Sequence, residues 1–299
     1  TNWGLQDMTG DQLEALLSRR WFENAELSLG LNYNREAFLD LDAEVDESRE
    51  SLSPFLLGSL EVFPDTNLDA GFRREDHSNF GAKWTYSVSL NRKLGRDFQV
   101  FGRHSRNFAP PTALDSYGWN GANPRLLPEE SETIEVGMKW MRSGTEISWT
   151  LFENAYDQLI VFHDPDNDWI GEMQNVEKAK ARGIEASITE KISKRLEARA
   201  TYTYLDAWEK GGSRLVRRPR HTGYCGFHWR EKEYQIGFET SLAADRMDSS
   251  YERGEDYAVC RLYGRKSFGR GLRLHARLEN LFDEKYEEIK GYPALGRAI

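Results

Sequence analysis

Cysteine is scarce. The 299 residues contain two, Cys225 and Cys260, each inside an apparent strand and neither in metal-ligand spacing. Each reads as a buried or lipid-facing thiol rather than half of a disulfide. No apolar run approaches the ~20 residues of a membrane-spanning helix, Leu159–Phe162 being about the greasiest stretch; this excludes helical spans but not barrel strands. Basic charge is in deficit, with 40 Lys and Arg against 49 Asp and Glu and a net charge of −9. A nucleic-acid binder needs a basic stripe, so that class is set aside. There is no nucleophile elbow, and His77, His104, His163, His221, His228 and His275 are scattered without zinc spacing. They read as strand or loop residues, and an enzyme is not expected.

What the chain has in quantity is alternation. Ala25, Leu27, Leu29, Leu31 and Tyr33 interleave with Glu26, Ser28, Gly30 and Asn32. The same period of two recurs at Trp84–Leu90, Ile134–Trp140, Ile147–Leu151, Leu196–Tyr204, Tyr234–Thr240 and Leu272–Leu278. A period of two means strands with one apolar and one polar face. About thirteen strands are expected, with no crossover helix, so the sheet is expected to be antiparallel. Residues 1–20 are ambiguous: a helix capped by Thr9 competes with a loop leading into a strand, and the loop is preferred. Pro54, in a strand running through Leu52, Leu56 and Leu60, suggests a bulge or a strand end.

The connections alternate in length. Pro64–Asn67, Leu94–Asp97, Arg142–Thr145, Ile192–Arg195, Arg230–Glu233 and Phe268–Gly271 are short. Leu39–Arg49, Asn107–Glu130, His163–Gln174, Asp206–Arg220 and Ala243–Asp256 are long, with Asp76–Asn79 a short exception. Short turns at one end and long loops at the other are the layout of an outer-membrane barrel. The polar face, with Glu135, Glu197, Arg199, Glu239 and Arg277, suits a water-filled or plugged lumen. Trp21, Trp84, Trp140, Trp149 and Trp229 fall near strand ends or on the apolar face, as interfacial girdles do.

The closing stretch, Leu272 to Arg297, carries Asn280-Leu281-Phe282-Asp283, Tyr286, Gly291-Tyr292-Pro293 and Gly296-Arg297. It resembles the C-terminal end of TonB-dependent outer-membrane receptors. Three internal segments add to the resemblance. The first is Phe108-Ala109-Pro110-Pro111 followed by Asn123-Pro124 and Pro128-Glu129; the second is Tyr156 with Leu159-Ile160; the third is Asn175, Ala179 and Gly183-Ile184-Glu185. Asn107 and Ala122 stand where that family usually has glycine, and its last strand with a terminal aromatic residue is not seen. The resemblance implies an all-β, antiparallel, up-and-down transmembrane barrel of 22 strands, with residues 1–299 as its C-terminal part. It implies a plug domain and a TonB-contacting segment outside this stretch; the lack of an initiator Met or signal peptide at Thr1 and the stop at Ile299 read as those of a fragment. It also implies residence in the outer membrane of a Gram-negative bacterium and TonB-energised uptake of a ferric siderophore or vitamin B12. In this reading Pro110, Asn123, Pro124, Asn175, Gly183, Asn280, Leu281, Phe282, Tyr286, Gly291, Gly296 and Arg297 are structural. A passive porin and a non-transporting barrel or adhesin are the rival readings.

Candidate binding residues come from the loops. Tyr117 and Trp119, on the longest one, could stack on a flat, partly apolar ligand. Arg217 and Arg218, with Arg214 and Arg220, form a basic loop suited to lipopolysaccharide or a carboxylate-rich siderophore. Asp40, Asp42 and Asp46, near Glu44 and Glu47, could ligate calcium, as could Asp164, Asp166, Asn167 and Asp168; a solvated acidic loop is the plainer reading of each. No other cofactor is expected.

Overall fold

The computed structural model describes residues 6–41, 44–118, 121–164, 170–248 and 252–299. Fourteen strands lie side by side in sequence order in one antiparallel sheet. They are β1 (Gln6–Phe22), β2 (Ala25–Asp40), β3 (Val45–Phe63), β4 (Thr66–His77), β5 (Gly81–Leu94), β6 (Phe98–Ala109) and β7 (Glu129–Arg142). Then come β8 (Thr145–His163), β9 (Glu172–Lys191), β10 (Leu196–Glu209), β11 (His221–Glu231), β12 (Tyr234–Ala244), β13 (Tyr257–Ser267) and β14 (Arg273–Leu278). A short helix, α1 (Ala113–Tyr117), interrupts the β6–β7 connection, and a small hairpin, β15 (Glu287–Ile289) with β16 (Tyr292–Pro293), follows the sheet. The chain groups into two compact units. One holds Thr1–Arg92, Phe101–Ile134 and Asn154–Ala179; the other holds Lys93–Val100, Glu135–Glu153 and Lys180–Ile299.

Register converts the alternation into faces, because directly opposed residues of an antiparallel pair share a face. In the first unit Leu17, Leu29, Leu56, Phe72 and Tyr86 line up across β1–β5. On the other face Glu26, Ser59, Asp69 and Ser89 form a row, and the Ser59 hydroxyl donates to Asp69 at 2.7 Å. The second unit repeats the arrangement. Ala198, Phe227, Phe238, Leu262 and Leu278 make its apolar row, and Arg199, Gly226, Glu239 and Arg261 a polar one.

The apolar rows are not a core. Leu17 is 71% exposed, Leu29 55%, Phe72 47% and Ile236 49%. Among the described residues the buried hydrophobics are Phe38, Leu126 and five alanines. Fully burying one Leu or Phe is worth about 1.5–3 kcal/mol, so face-wide exposure to water would forgo far more than any domain's net stability. A sheet face of this extent calls for hydrocarbon against it. Trp21 beside turn 23–24 and Trp84 beside connection 78–80 sit at opposite ends of the first unit's apolar face, and the Arg19 guanidinium lies 4.6 Å from the Trp21 ring. A cation and an aromatic ring at the end of an apolar strand face suit a lipid–water boundary.

Four local expectations are corrected. Residues 6–22 form neither a helix nor a loop: β1 pairs with β2 along its length, from Gln6 opposite Asp40 to Phe22 opposite Ala25. The long partner strand supplies hydrogen bonds that local propensity does not foresee. Pro54 lies within β3 opposite Leu31, with neither a strand end nor a bulge at it. The β3–β4 ladder passes from Leu52–Asp76 to Phe55–Arg73 with the register unchanged, so the missing N–H costs ladder contacts rather than alignment. The expected loop Leu39–Arg49 shrinks to residues 41–44, because β2 and β3 extend as a tall hairpin. Finally, the sheet has fourteen strands instead of about thirteen, β1 being the addition.

Candidate functional site

The longer connections carry the side chains that sheet pairing does not use. In the first unit the β6–β7 connection lays Pro111 and α1 against the ends of β2 and β3 that meet at their turn. Thr112 caps α1: its hydroxyl accepts from the Asp115 N–H, and the Asp115 carboxylate accepts from the Thr112 N–H. This reciprocal box satisfies two otherwise orphaned donors. Arg49 of β3 pairs with Glu36 of β2 at 2.6 Å and donates to the Pro111 carbonyl at 2.5 Å. Pro111 is fully buried, Phe38 is buried, and Phe38, Arg49 and Tyr117 line one small cavity under the helix. Tyr117 is therefore half-buried against the hairpin instead of projecting freely.

Two asparagines hold the remainder of this connection. The Asn175 amide donates to the carbonyls of Leu127 at 2.9 Å and Gln158 at 2.7 Å, while its Oδ1 accepts from the Leu127 N–H at 2.8 Å. A side-chain amide thus pairs with the Leu127 backbone as a neighbouring strand would. The Asn123 amide donates to the Met173 carbonyl at 2.9 Å, and its Oδ1 accepts from the Arg125 N–H at 3.0 Å. Pro110 is half-buried beside Pro111, and Pro124 is exposed. Asn175→Ala removes three of these bonds and is expected to cost about 1–3 kcal/mol. Limited proteolysis of the whole protein should then cut within residues 110–128 faster, with the strands still protected.

In the second unit Asp245, at the end of β12, is the hub. Its carboxylate meets Arg214 at 3.0 Å and Arg220 at 3.3 Å, and it also pairs with Arg253. Arg214 donates in addition to the Asp245 carbonyl at 2.6 Å, and Arg220 reaches Asp206 at 3.1 Å. Burial pushes the Asp245 carboxyl up, but the Arg214 and Arg253 guanidiniums outweigh it and hold the group below the usual carboxylate range. The basic loop therefore divides. Arg214 and Arg220 are half-buried and held by Asp245, and Arg217 and Arg218 are exposed. The Arg217 backbone is left-handed, with φ 57°, and its N–H donates to the Met247 carbonyl at 2.6 Å.

The closing segment docks on the β12–β13 connection. Arg246 is buried, lies 5.6 Å from the Tyr257 ring and donates to the Glu287 carbonyl. Tyr286 packs on Tyr257 with ring centroids 4.4 Å apart, and Lys290 pairs with Glu252 at 2.7 Å. Asn280, buried with φ 49°, donates to the carbonyls of Glu284 and Leu295 and accepts from the Glu284 N–H. The Leu281 N–H donates to the Cys260 carbonyl, Phe282 is exposed, and Gly291 makes the β15–β16 turn with φ 84°. The Arg297 N–H donates to Asp283 at 2.8 Å, and a Cβ on the adjacent Gly296 would stand 2.9 Å from the same carboxylate. Gly183 has no room for a side chain: a Cβ there would lie 2.1 Å from the Tyr204 carbonyl oxygen.

The other expected residues are placed as follows. Asp40 is buried at the end of β2 opposite Val45, so Asp46, one residue further along, points to the opposite face and is exposed. These two cannot converge on one ion, and Asp42 lies outside the described residues. Trp119, Asp166, Asn167 and Asp168 lie outside them too. Among the described residues no group of three or more His, Cys, Asp or Glu could hold a metal ion. Cys225 and Cys260 are free thiols. The Asp245 hub escaped sequence reading. Its signal was the need of a four-arginine loop for a counter-charge, and an aspartate at the end of a strand two connections away does not announce itself.

Residues 1–281 match the family model described as TonB dependent receptor-like, beta-barrel. The chain is 24% identical over 278 residues to a vitamin B12 transporter BtuB of Photobacterium profundum, a match covering 90% of this chain and 45% of that protein. It superposes on the siderophore receptor PirA from Pseudomonas aeruginosa with a TM-score of 0.77 and 22% identity, over 98% of this chain and 54% of that one. The copper transporter OprC gives a TM-score of 0.81 at 15% identity, over 98% and 55%. The chain thus spans about half the length of the proteins it resembles, and these are named transporters and receptors. With strand after strand of antiparallel sheet, one exposed apolar face and a family match over nearly its whole length, the chain belongs to the TonB-dependent receptor family, through that family's β-barrel.

Proposed function

We propose that this chain is the C-terminal part of the barrel of an outer-membrane receptor in a Gram-negative bacterium, which takes up a scarce nutrient with energy delivered through TonB. The observation that carries the reading is the division of the sheet into an exposed apolar face and a charged face, in a chain of this family. One face meets lipid, the other lines the route inward, and the tied-down connections form the outer mouth. The cargo is a ferric siderophore or cobalamin; relatives named for vitamin B12, a siderophore and copper share the scaffold, so the loops and not the sheet discriminate. Tyr117, Arg217 and Arg218 are the described residues best suited to touch cargo, Tyr117 by ring contact and the arginines by charge-assisted hydrogen bonds. The exposed arginines would equally meet lipopolysaccharide phosphates. Calcium, if bound, needs ligands beyond Asp40 and Asp46.

The test is uptake by cells expressing the whole receptor, with radiolabelled ferric siderophores and cyanocobalamin, with and without TonB. Uptake of one cargo that stops when TonB is removed is expected. Diffusive entry unaffected by TonB would make the barrel a porin, and no entry of any solute would make it a non-transporting barrel.

A further inference from the structure

The apolar face of the first unit has a gap among its leucines. The row Arg19–Leu27–Gly58–Ala70–Val88 crosses β1–β5, and its middle is two small residues on adjacent strands. Larger side chains stand in the rows on either side, Leu29, Leu56 and Phe72 in one, Leu60 and Leu68 in the other. A groove of about 420 Å³ opens over Gly58 and Ala70, bounded on the side of turn 23–24 by Trp21, Phe22 and Leu60. Glu26 also borders it, but belongs to the polar-face row and pairs there with Arg20 at 3.5 Å. A Cβ on Gly58 would meet only the Leu27 Cδ1, at 3.8 Å, so the gap is open space rather than a close approach of backbone. The residue at the head of the row is a cation. Arg19 lies on the apolar face opposite Leu27, its guanidinium 4.6 Å from the Trp21 ring, and it makes no ion pair with any described residue.

We propose that this groove seats an acyl chain of an anionic glycerophospholipid whose phosphate is bound by Arg19. The missing side chains at Gly58 and Ala70 let a methylene chain touch protein below and on both sides, where a flat face offers contact on one side only. The volume lies within the range of small-molecule sites. A charge on a face that meets hydrocarbon is costly unless the side chain reaches the interface and finds a counter-ion there. The guanidinium fork matches two phosphate oxygens, and stacking on Trp21 holds its plane. Turns 23–24 and 64–65 are short ones, so the groove lies towards the periplasmic side, in the leaflet built of glycerophospholipid rather than lipopolysaccharide. A cation with no free acid beside it favours a net-negative headgroup such as phosphatidylglycerol over a zwitterionic one. The site goes beyond the uptake reading and requires only that this face meet lipid, which charge substitution at Leu29 and Ser28 tests separately.

The experiment equilibrates the purified whole receptor in nanodiscs of phosphatidylcholine with a minor share of phosphatidylglycerol, releases it gently into detergent and counts retained lipids by native mass spectrometry. Wild type is expected to retain phosphatidylglycerol well above its share of the bilayer. R19Q is expected to lower that preference about fivefold or more, the value of one basic side chain beside an anionic headgroup, and R19K to lower it less, since it keeps the charge. G58L fills the groove, leaves Arg19 in place and is expected to lower retention as well. Heat-modifiable migration verifies that each variant is folded. No enrichment of phosphatidylglycerol on the folded wild type, or unchanged retention in either R19Q or G58L, overturns the proposal. So does retention of lipopolysaccharide in its place. An R19Q receptor that is less heat-stable with retention unchanged counts against it too, because Arg19 would then be paired with another part of the protein.

Discussion

Leu29→Arg in the whole receptor is expected to cost about 2–4 kcal/mol of folding free energy in a bilayer, the range for an arginine near the midplane on the lipid face of a barrel. Leu29 sits in the row Leu17–Leu29–Leu56–Phe72–Tyr86 and is 55% exposed. It lies four residues beyond Ala25 at the start of β2, roughly 14 Å along the strand, near the middle of an apolar band ~25 Å tall. The neighbouring Ser28 faces the other way, and its hydroxyl shares a 2.7 Å hydrogen bond with Ser18. Ser28→Arg places the same charge on the polar face and is expected to cost under 1 kcal/mol. Urea titration of folding into phosphatidylcholine vesicles, read by heat-modifiable migration, compares the two. Equal costs, or a larger cost at Ser28, would mean that the apolar face does not meet hydrocarbon.

Asp245→Asn is the second large effect. Its carboxylate is the shared partner of Arg214, Arg220 and Arg253, so the amide leaves Arg214 and Arg253 without that counter-charge and Arg220 with Asp206 alone. The cost is expected to be about 2–3 kcal/mol, below that of breaking a fully buried pair because Arg253 is well exposed. It should appear as faster hydrogen exchange in residues 210–220 and 252–256, with β10–β13 still protected. Acid should mimic the substitution. The carboxyl is held below its ordinary value in the folded state, so its contribution is complete above the ordinary carboxylate range and is lost as pH falls through the folded value. Protection in the two loops should therefore be flat from neutral pH down to that range and drop only below it, while Asp245→Asn shows no such step. Unchanged exchange in Asp245→Asn would remove the hub from the account of how the mouth is held.

The strands were legible because their signal is short-range. Leu27, Leu29 and Leu31 against Glu26, Ser28 and Gly30 state their faces within one strand, and the turns at 64–65, 143–144 and 232–233 state the strand ends. β1 was not legible, since Leu16 and Leu17 break its alternation and its identity comes from pairing with β2. The acidic stretch from Asp40 to Glu47 looked like a loop because local charge is a loop signal. Asp40, Val45, Asp46 and Glu47 became strand because each found a partner across the hairpin. The asparagines at 123, 175 and 280 were legible as signature positions, but nothing local says that Asn175 bonds to Leu127, forty-eight positions away.

By itself, then, the sequence determined that the chain is sheet, that its strands have one apolar and one ionic face, and that short and long connections alternate along most of it. A period of two and the spacing of turns need only neighbouring residues. Tertiary structure decided which charges meet. Arg214 and Arg220 are neutralised by Asp245, which lies two connections away in the chain. Pairing of charges depends on distance across strands and loops, and that distance is set only once the register is in place.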